Sequence, residues 1–448
     1  MHTAWHSAVM KHPAHTEPID PQALRIGMFV HLEGGWMAHP FPLSSFKLSA
    51  AAQIATLQSL GLEVRWCPGR SDPAAGAEPT PIETDAPHGS APAADPPPVP
   101  VERVESAESV EARALRTHRQ ALCDQRDAQA VCERQFLEAT QACKRVTDLL
   151  QTHPQGAREQ AEGLTQALAA KMLGEAELCI RLLNQTAGDK AAAHAMNVTV
   201  ISMLLGRSFG LREADLLDLG LGAMLRDIGK LELPERIRHR DENFSASEAR
   251  CYEEHVAHGV TRGRKMGLGP GALLVIAQHH EHADGSGFPL KLNSDRMTIA
   301  ARIVALVNRY DTLCNPHIPS RACTPHEAVA MLFAQGKNKF DTAILGAFIK
   351  MMGVYPPGST VQLTDDRFAL VVGVNSLRPL KPKVLVHEPG VPREDALLLE
   401  LERMPGLGIR RSIKPLALPL ETLGYLAPKP RTAYFFEPAR ETLAEATA

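Results

Sequence analysis

Apolar positions change their period several times along the chain, and each change marks a part. Leu24 to Leu32 is a short β-prone run, and Gly34-Gly35 then marks a turn. Ser49 is placed to cap a helix carrying Ile54, Leu57 and Leu60, closed by Gly61, and Leu62 to Trp66 reads as a strand. These elements predict a small α+β unit over 21–68, preceded by a disordered polar tail over 1–20. Residues 69–100 lose all period and turn to Pro, Ala and Asp, ending in Pro96-Pro97-Pro98-Val99-Pro100. Such a segment buries too little apolar surface to offset its ordering entropy, so it reads as a flexible linker. From Val101 to Thr152 a charged, alanine-rich helix runs without internal Gly or Pro, and Leu115, Leu122, Val131, Phe136, Val146, Leu149 and Leu150 form an irregular stripe. A second helix is read through Leu164, Leu168, Met172, Leu178, Leu182 and Leu183, giving a helical hairpin or connector over 101–185.

The block over 186–355 is nearly all helical pattern, broken at Gly210, Gly229, Pro234, Gly267 to Gly271 and Gly285 to Pro289. After Pro356 the period becomes that of strands, at Thr360 to Leu363, Phe368 to Val374, Val384 to Val386 and Ala396 to Leu401. The segment 356–448 therefore reads as a β-rich appendage, with Leu416 to Leu426 expected to pack back on the bundle. The fold class is mainly α: a helical bundle with a small N-terminal α+β domain and a β-rich C-terminal appendage.

Bulk properties narrow the function. With 448 residues the chain is too long for one small core, and a net charge of −3 offers no general attraction for DNA. Aromatic residues make up only 5%, too few for a base-stacking platform. No run approaches the roughly 18 to 20 apolar residues of a membrane span, so a cytoplasmic protein is expected. Eight cysteines lie scattered without a C-x-x-C pair, which speaks against a disulfide framework and a zinc knuckle.

Candidate chemistry lies within the helical block. His194, Arg226-Asp227-Ile228-Gly229-Lys230, His255, His279-His280-Glu281, Asp284 to Pro289 and Asn308 to Asp311 recur inside apolar pattern. One histidine on an apolar helix face is usually a satisfied core residue, but an ordered series with a His-His pair is not readily explained that way. The text HAMNVTVISMLLGRSFGL, LRDIGKLELPERI, HHEHADGSGFP and ARIVALVNRYD resembles the HD-GYP family, over residues 186 to 355. That family is a branch of the HD metal-dependent phosphohydrolases, whose typical members hydrolyse cyclic di-GMP. LRIGMFVHLEGGWMAHPFPLSSFKLS resembles a small N-terminal domain that often precedes HD-GYP domains in bacteria.

The resemblance implies a site residue by residue. The family's first metal takes a helix His, the motif His-Asp pair and a distant Asp, which match His194, Arg226, Asp227 and Asn308. Arg226 is a permanent cation and cannot ligate, and Asn308 is a weak neutral ligand. The second metal keeps its full set: Asp227, His255, His279 and His280. A third metal is not expected, because Lys190 stands where the family places a Glu. One divalent transition metal per chain, Fe, Mn, Zn or Ni, is therefore implied. Asp227 and Lys230 are the implied catalytic pair. Arg226, Lys230, Gly287, Phe288, Pro289 and Asn308 are the implied substrate contacts. Phe288 replaces the signature tyrosine, keeping a ring for stacking but losing the hydroxyl. Cys314-Asn315-Pro316-His317-Ile318-Pro319 replaces an Arg-Pro-Tyr-Arg segment. Arg226 is read as a cationic stand-in for the missing metal, as against a side chain turned out to solvent. Glu281 is read as bonding a ligand imidazole or facing water, Asp284 as a loop residue or a histidine orienter, and Asp311 as a structural helix residue. His258 and His282 are read as lying outside the ligand set.

Two functions of different class fit these readings. One is a metal-dependent cyclic di-GMP phosphodiesterase in bacterial second-messenger signalling, weakened by Arg226 and Asn308. The other is a non-catalytic cyclic dinucleotide receptor or protein-interaction scaffold. A hydrolase for another phosphorylated nucleotide is a third. A protein partner at the N-terminal unit and a homodimer are compatible with either of the first two.

Overall fold

The structure is a computed structural model that describes residues 16–32, 45–48, 50–68, 71–72, 110–184, 188–336 and 338–439. The glycine turn at Gly34-Gly35, the cap at Ser49, the histidines before Thr16 and the linker, apart from Ser71 and Asp72, lie outside these residues.

The chain divides into two units, Met1–Gln120 and Ala121–Ala448. In the first, strands β1 (Glu17–Ile19), β2 (Phe29–Leu32), β3 (Ser45–Lys47) and β4 (Val64–Trp66) form a sheet in the order β1-β4-β2-β3. Helix α1 (Ala51–Leu60) contributes Leu57 to a core with Leu24, Met28, Val30, Leu32, Leu48 and Val64. The disordered tail expected over 1–20 is corrected at its end, because Glu17–Ile19 pairs antiparallel with β4. Strand formation there satisfies backbone groups that β4 would otherwise leave unpaired.

Helix α2 (Val110–Leu149) leads into the second unit, and α3 (Pro154–Leu173) turns back after it. Lys171 on α3 donates to Gln135 on α2 at 2.5 Å, in the buried interior between them. Leu178 to Leu182, expected as helix, is instead strand β5 (Leu178–Leu182), buried at all five positions. Gly174 ends α3, and an apolar run this short fits either period, so burial in a sheet decided it.

The bundle comprises α4 (Lys190–Ser208), α5 (Glu213–Leu225), α6 (Ala246–Met266), α7 (Pro270–Gln278), α8 (Ile299–Cys314), α9 (Pro325–Gly336) and α10 (Thr342–Met352). Helix α4 packs on α5 and α8, α5 on α7, and α6 on α7 and on the tight turn Ile228–Glu232. Local sequence sets the helix ends. Asp189 and Thr298 cap α4 and α8, and Ser245 with Glu248 forms a reciprocal capping box on α6. Gly267 ends α6 at a φ of 78°, a left-handed conformation that glycine adopts without steric cost.

The second sheet joins β5 to β6 (Thr360–Leu363), β7 (Phe368–Asn375), β8 (Lys383–Val386), β9 (Leu399–Glu400), β10 (Ile409–Ser412) and β11 (Tyr434–Pro438). Its order is β10-β6-β7-β5-β11, with β8 on β7 and β9 on β8. The strand expected over Ala396 to Leu401 shrinks to Leu399–Glu400, flanked by short 3₁₀ turns. Helix α11 (Leu420–Leu426) packs near β7. The leucine-rich stretch was expected to cover the bundle. Leu416 and Leu420 are instead 93% and 86% exposed, while Leu418 and Leu426 are buried.

Candidate metal centre

Three elements of the bundle bring one carboxylate and three imidazoles to a point. Asp227 follows Arg226, the residue that closes α5; His255 sits within α6; His279 and His280 follow the last residue of α7. Gly229 allows this convergence. A Cβ there would stand 1.9 Å from the carbonyl oxygen of His255 and 2.4 Å from the amide nitrogen of Gly259. Only a residue without a side chain lets the turn after Asp227 lie against the backbone of α6.

Ligand atoms of Asp227, His255, His279 and His280 all lie within 4.8 Å of one another. The Asp227 Oδ1 atom is 3.8 Å from His255 Nε2 and 3.7 Å from His279 Nε2. The two ring orientations are fixed from behind. His255 Nδ1 donates to the Tyr252 carbonyl at 2.5 Å, and His279 Nδ1 to the Ile276 carbonyl at 2.8 Å. Each Nε2 is thereby left as a lone pair facing the centre. The Nε2 atoms of His255, His279 and His280 are buried and have no hydrogen-bond partner among the described residues. Buried polar atoms without partners are rare, and three converging on a carboxylate fit a bound cation.

Electrostatics gives the four groups the protonation a metal needs. Burial, then the neighbouring His279, depresses His255 to about 3. Burial likewise lowers His279 and takes His280 well below the ordinary imidazole range. Burial pushes the Asp227 carboxyl up, but Lys230, Arg226 and His279 outweigh it and hold it well below the carboxylate range. Near neutral pH the set is three neutral imidazoles and one carboxylate.

Lys230 Nζ lies 2.9 Å from Asp227 Oδ1, off the hydrogen-bonding direction, and 5.5 Å from the centre of the Tyr252 ring. Burial lowers its pKa, but Asp227 and Tyr252 more than reverse that, so it stays an ammonium.

The Phe288 ring is buried and stacks on His280 at 4.5 Å and 22°. Tyr252 meets it edge-on at 6.2 Å, and it belongs to a core with Leu233, Ile237 and Val256. Its position is that of a wall behind a ligand imidazole. Gly287 is packed backbone against backbone, since a Cβ would fall 2.4 Å from His282 N, and Pro289 is exposed.

Glu281 does neither thing expected of it. Fully buried, it accepts from Leu290 N at 2.6 Å and Leu292 N at 2.8 Å, and so pins the loop that carries Phe288. Asp284 accepts from Ser286 N at 2.9 Å, shaping the loop, while His282 Nδ1 meets Ser286 Oγ at 3.0 Å. His258 is half-buried on α6 and outside the ligand group. His317, in the segment replacing Arg-Pro-Tyr-Arg, stacks on His239 at 4.0 Å.

His194, Arg226 and Asn308 come together in a second cluster. The Arg226 side chain is fully buried rather than turned to solvent. Its Nη1 donates to the Ala223 carbonyl at 2.7 Å and its Nε to Asn308 Oδ1 at 3.3 Å. Because the guanidinium can only donate, the Asn308 atom facing it is the oxygen. The same oxygen lies 3.1 Å from His194 Nε2, and His194 Nδ1 lies 2.5 Å from Asp311 Oδ2. Both ring nitrogens of His194 thus lie against side-chain oxygens of α8. Asp311 is buried and also accepts from Asn197 and Asn315, each of which donates to the Thr432 carbonyl. Sequence reasoning missed this bracing; its signal was Asn197, a polar residue inside the apolar run of α4.

A helical bundle that gathers an aspartate and three histidines at one point is compatible with a metal-dependent phosphohydrolase of the HD class. The chain matches the HD domain family over residues 146–344 and the Domain of unknown function (DUF3391) over 17–161. It is 25% identical over 374 residues to Cyclic di-GMP phosphodiesterase PA4108 of Pseudomonas aeruginosa, covering 81% of this chain and 83% of that one. It is 26% identical over 217 residues to Cyclic di-GMP phosphodiesterase response regulator RpfG of Xanthomonas campestris, covering 46% and 57%. It is 31% identical over 173 residues to 3'3'-cGAMP-specific phosphodiesterase 2 of Vibrio cholerae, covering 38% and 33%. Over residues 146–344 the chain thus matches the HD domain family, and over 81% of its length it is similar to a relative named as a cyclic di-GMP phosphodiesterase.

Proposed function

We propose that the protein is an HD-GYP-type cyclic di-GMP phosphodiesterase-like signalling protein, holding one divalent transition metal on Asp227, His255, His279 and His280. The observation that carries this reading is the set of three unpartnered, buried Nε2 atoms aimed at one ionised carboxylate. A metal held there supplies Lewis-acid neutralisation of phosphoryl oxygens and acidifies water near neutral pH. The protein's own groups bind and orient. Lys230 remains a cation and so serves as an electrostatic contact for phosphate, not as a base. The ligand group contains one carboxylate, Asp227, already shared between Lys230 and Arg226. With no second carboxylate in the group to take a proton, hydrolysis is expected to be slow and binding to outlast it. A cytoplasmic location, with a protein partner at the N-terminal unit, belongs to the same reading.

The buried Arg226 also favours the second reading, a non-catalytic cyclic dinucleotide receptor. Metal content measured together with turnover separates the two. Conversion of cyclic di-GMP by protein supplied with iron or manganese supports the enzyme. About one metal per chain with cyclic di-GMP left intact supports the receptor. Protein that neither retains metal nor binds the dinucleotide refutes both.

A further inference from the structure

We infer that Arg240 and Arg309 form a second anion contact at the rim of the metal centre, which takes the phosphate of a dinucleotide that the metal does not hold. This rests on the reading of that centre as a phosphodiester site. It deepens that reading by setting the substrate class, a molecule with two phosphates.

Two segments build this rim. The stretch after the turn Ile228–Glu232 carries Arg240. It is held down by Leu233 and Ile237, which share a core with Tyr252 and Phe288, and by Arg238, whose Nε donates to the Leu233 carbonyl at 3.1 Å. The Arg240 guanidinium lies over the Phe288 ring at 5.8 Å, and Phe288 in turn stacks on the candidate ligand His280. Arg240 therefore stands one ring beyond the metal centre. Arg309 follows Asn308 on α8, and the chain after α8 returns to the rim, where His317 stacks on His239 at 4.0 Å.

Neighbouring arginines are matched. Arg236 pairs with Glu248, and Arg302 meets Asp341 at 2.5 Å. Arg240 and Arg309 are exposed, and neither guanidinium has a hydrogen-bond or ion-pair partner among the described residues. They also lie within each other's field. Partial desolvation and then Arg240 lower the Arg309 pKa, while Cys323 and Glu242 oppose this without reversing it.

Two unmatched like charges drawn together repel, and an anion placed between them relieves that. The guanidinium fork fits phosphate oxygens, and exposure leaves both forks open to a ligand. A phosphodiester on the metal already has Lys230 beside it. A cyclic dinucleotide brings a second phosphate, whose charge the arginine pair matches.

The test uses the full-length chain loaded with manganese, titrated calorimetrically with cyclic di-GMP and, separately, with bis(p-nitrophenyl) phosphate, which carries one phosphate. Arg240→Gln and Arg309→Gln should each weaken cyclic di-GMP binding by about tenfold. Metal content, melting temperature and affinity for the one-phosphate probe should stay at the parent's values. Arg240→Lys keeps the charge and should recover most of the loss; it also serves if Arg240→Gln fails to fold. Cyclic di-GMP affinities within about twofold of the parent in both Gln variants overturn the inference alone. Equal losses for the two probes also overturn it, because the arginines would then act on the metal-bound phosphate. An Arg240→Lys variant as weak as Arg240→Gln indicates a bidentate contact to guanine and overturns the phosphate contact. Arginine-dependent binding without turnover supports the inference and selects the receptor over the enzyme. A metal-bearing parent that does not bind cyclic di-GMP overturns both the inference and the functional reading.

Discussion

One methyl group at Gly229 tests how the metal centre is assembled. In Gly229→Ala the new Cβ would start 1.9 Å from the His255 carbonyl oxygen, where real Cβ contacts stay above 3.0 Å, so the turn and α6 must part by about 1.1 Å. The obstructing atoms are helix backbone at His255 and Gly259, which cannot swing aside as a side chain would. Overpacking of this kind costs about 1–3 kcal/mol and occasionally more, and rigid backbone places this case near the top, at about 3 kcal/mol. For a unit the size of Ala121–Ala448 the melting temperature should fall by roughly 4 °C. The effect on metal should be larger, since ligand positions must hold to about 0.2 Å and the gap opens between Asp227 and His255 themselves. Elemental analysis of protein purified with manganese and thermal melts of metal-free protein measure the two effects. Gly346→Ala is the control, because nothing lies within 4 Å of its added Cβ. Gly229→Ala protein that keeps its metal and melts within about 2 °C of the parent would refute the close approach as the basis of the site.

Glu281→Ala should cost about 2–4 kcal/mol, because it strips the acceptor from the buried Leu292 amide and the half-buried Leu290 amide; Glu281→Gln, which keeps one acceptor, should lose less than half of that. Equal melts for the two variants would mean that the loop is held by something else. Acid should destabilise the metal-free protein. His255 is depressed to about 3 in the fold against 6.5 unfolded, so the unfolded chain binds more protons between those values. Stability is therefore fully present above about 6.5 and lost as pH falls, by about 1.4 kcal/mol per pH unit for this residue alone. His279 and His280 act in the same direction. A chelated sample whose melting temperature is flat from pH 7 to 5 would contradict the neutral, buried imidazoles.

The bundle was legible because helices of this size repeat their apolar positions over several turns, as α4 and α8 do. The ligand group was legible through its family resemblance, since histidines at 255, 279 and 280 are spaced too irregularly for local pattern to join them. Strand β5 was not legible: five buried residues carry no period of their own, and their neighbours in α3 continue a helical rhythm up to Gly174. The tasks of Glu281 and Asp311 were equally hidden. Each acts on partners that become neighbours only in the fold, Leu290 and Leu292 for one and His194 with Asn197 for the other. Exposure of Leu416 and Leu420 shows the converse, that leucine in sequence predicts burial only where a partner surface exists.

The pairing of β11 with β5 has a bearing on how the protein is made. Leu182 and Tyr434 face each other across 252 positions of chain, and the Thr432 carbonyl beside them receives Asn197 from 235 residues earlier. Chains fold as they leave the ribosome, and contacts of long separation form late. Helices α4 to α8, with every ligand histidine, are translated well before Thr432. A nascent chain can therefore gather its imidazoles while Asn197 and Asn315 still lack the carbonyl that will brace them. The order of translation separates assembly of the ligands from the fixing of Asp311, His194 and, through Asn308, Arg226.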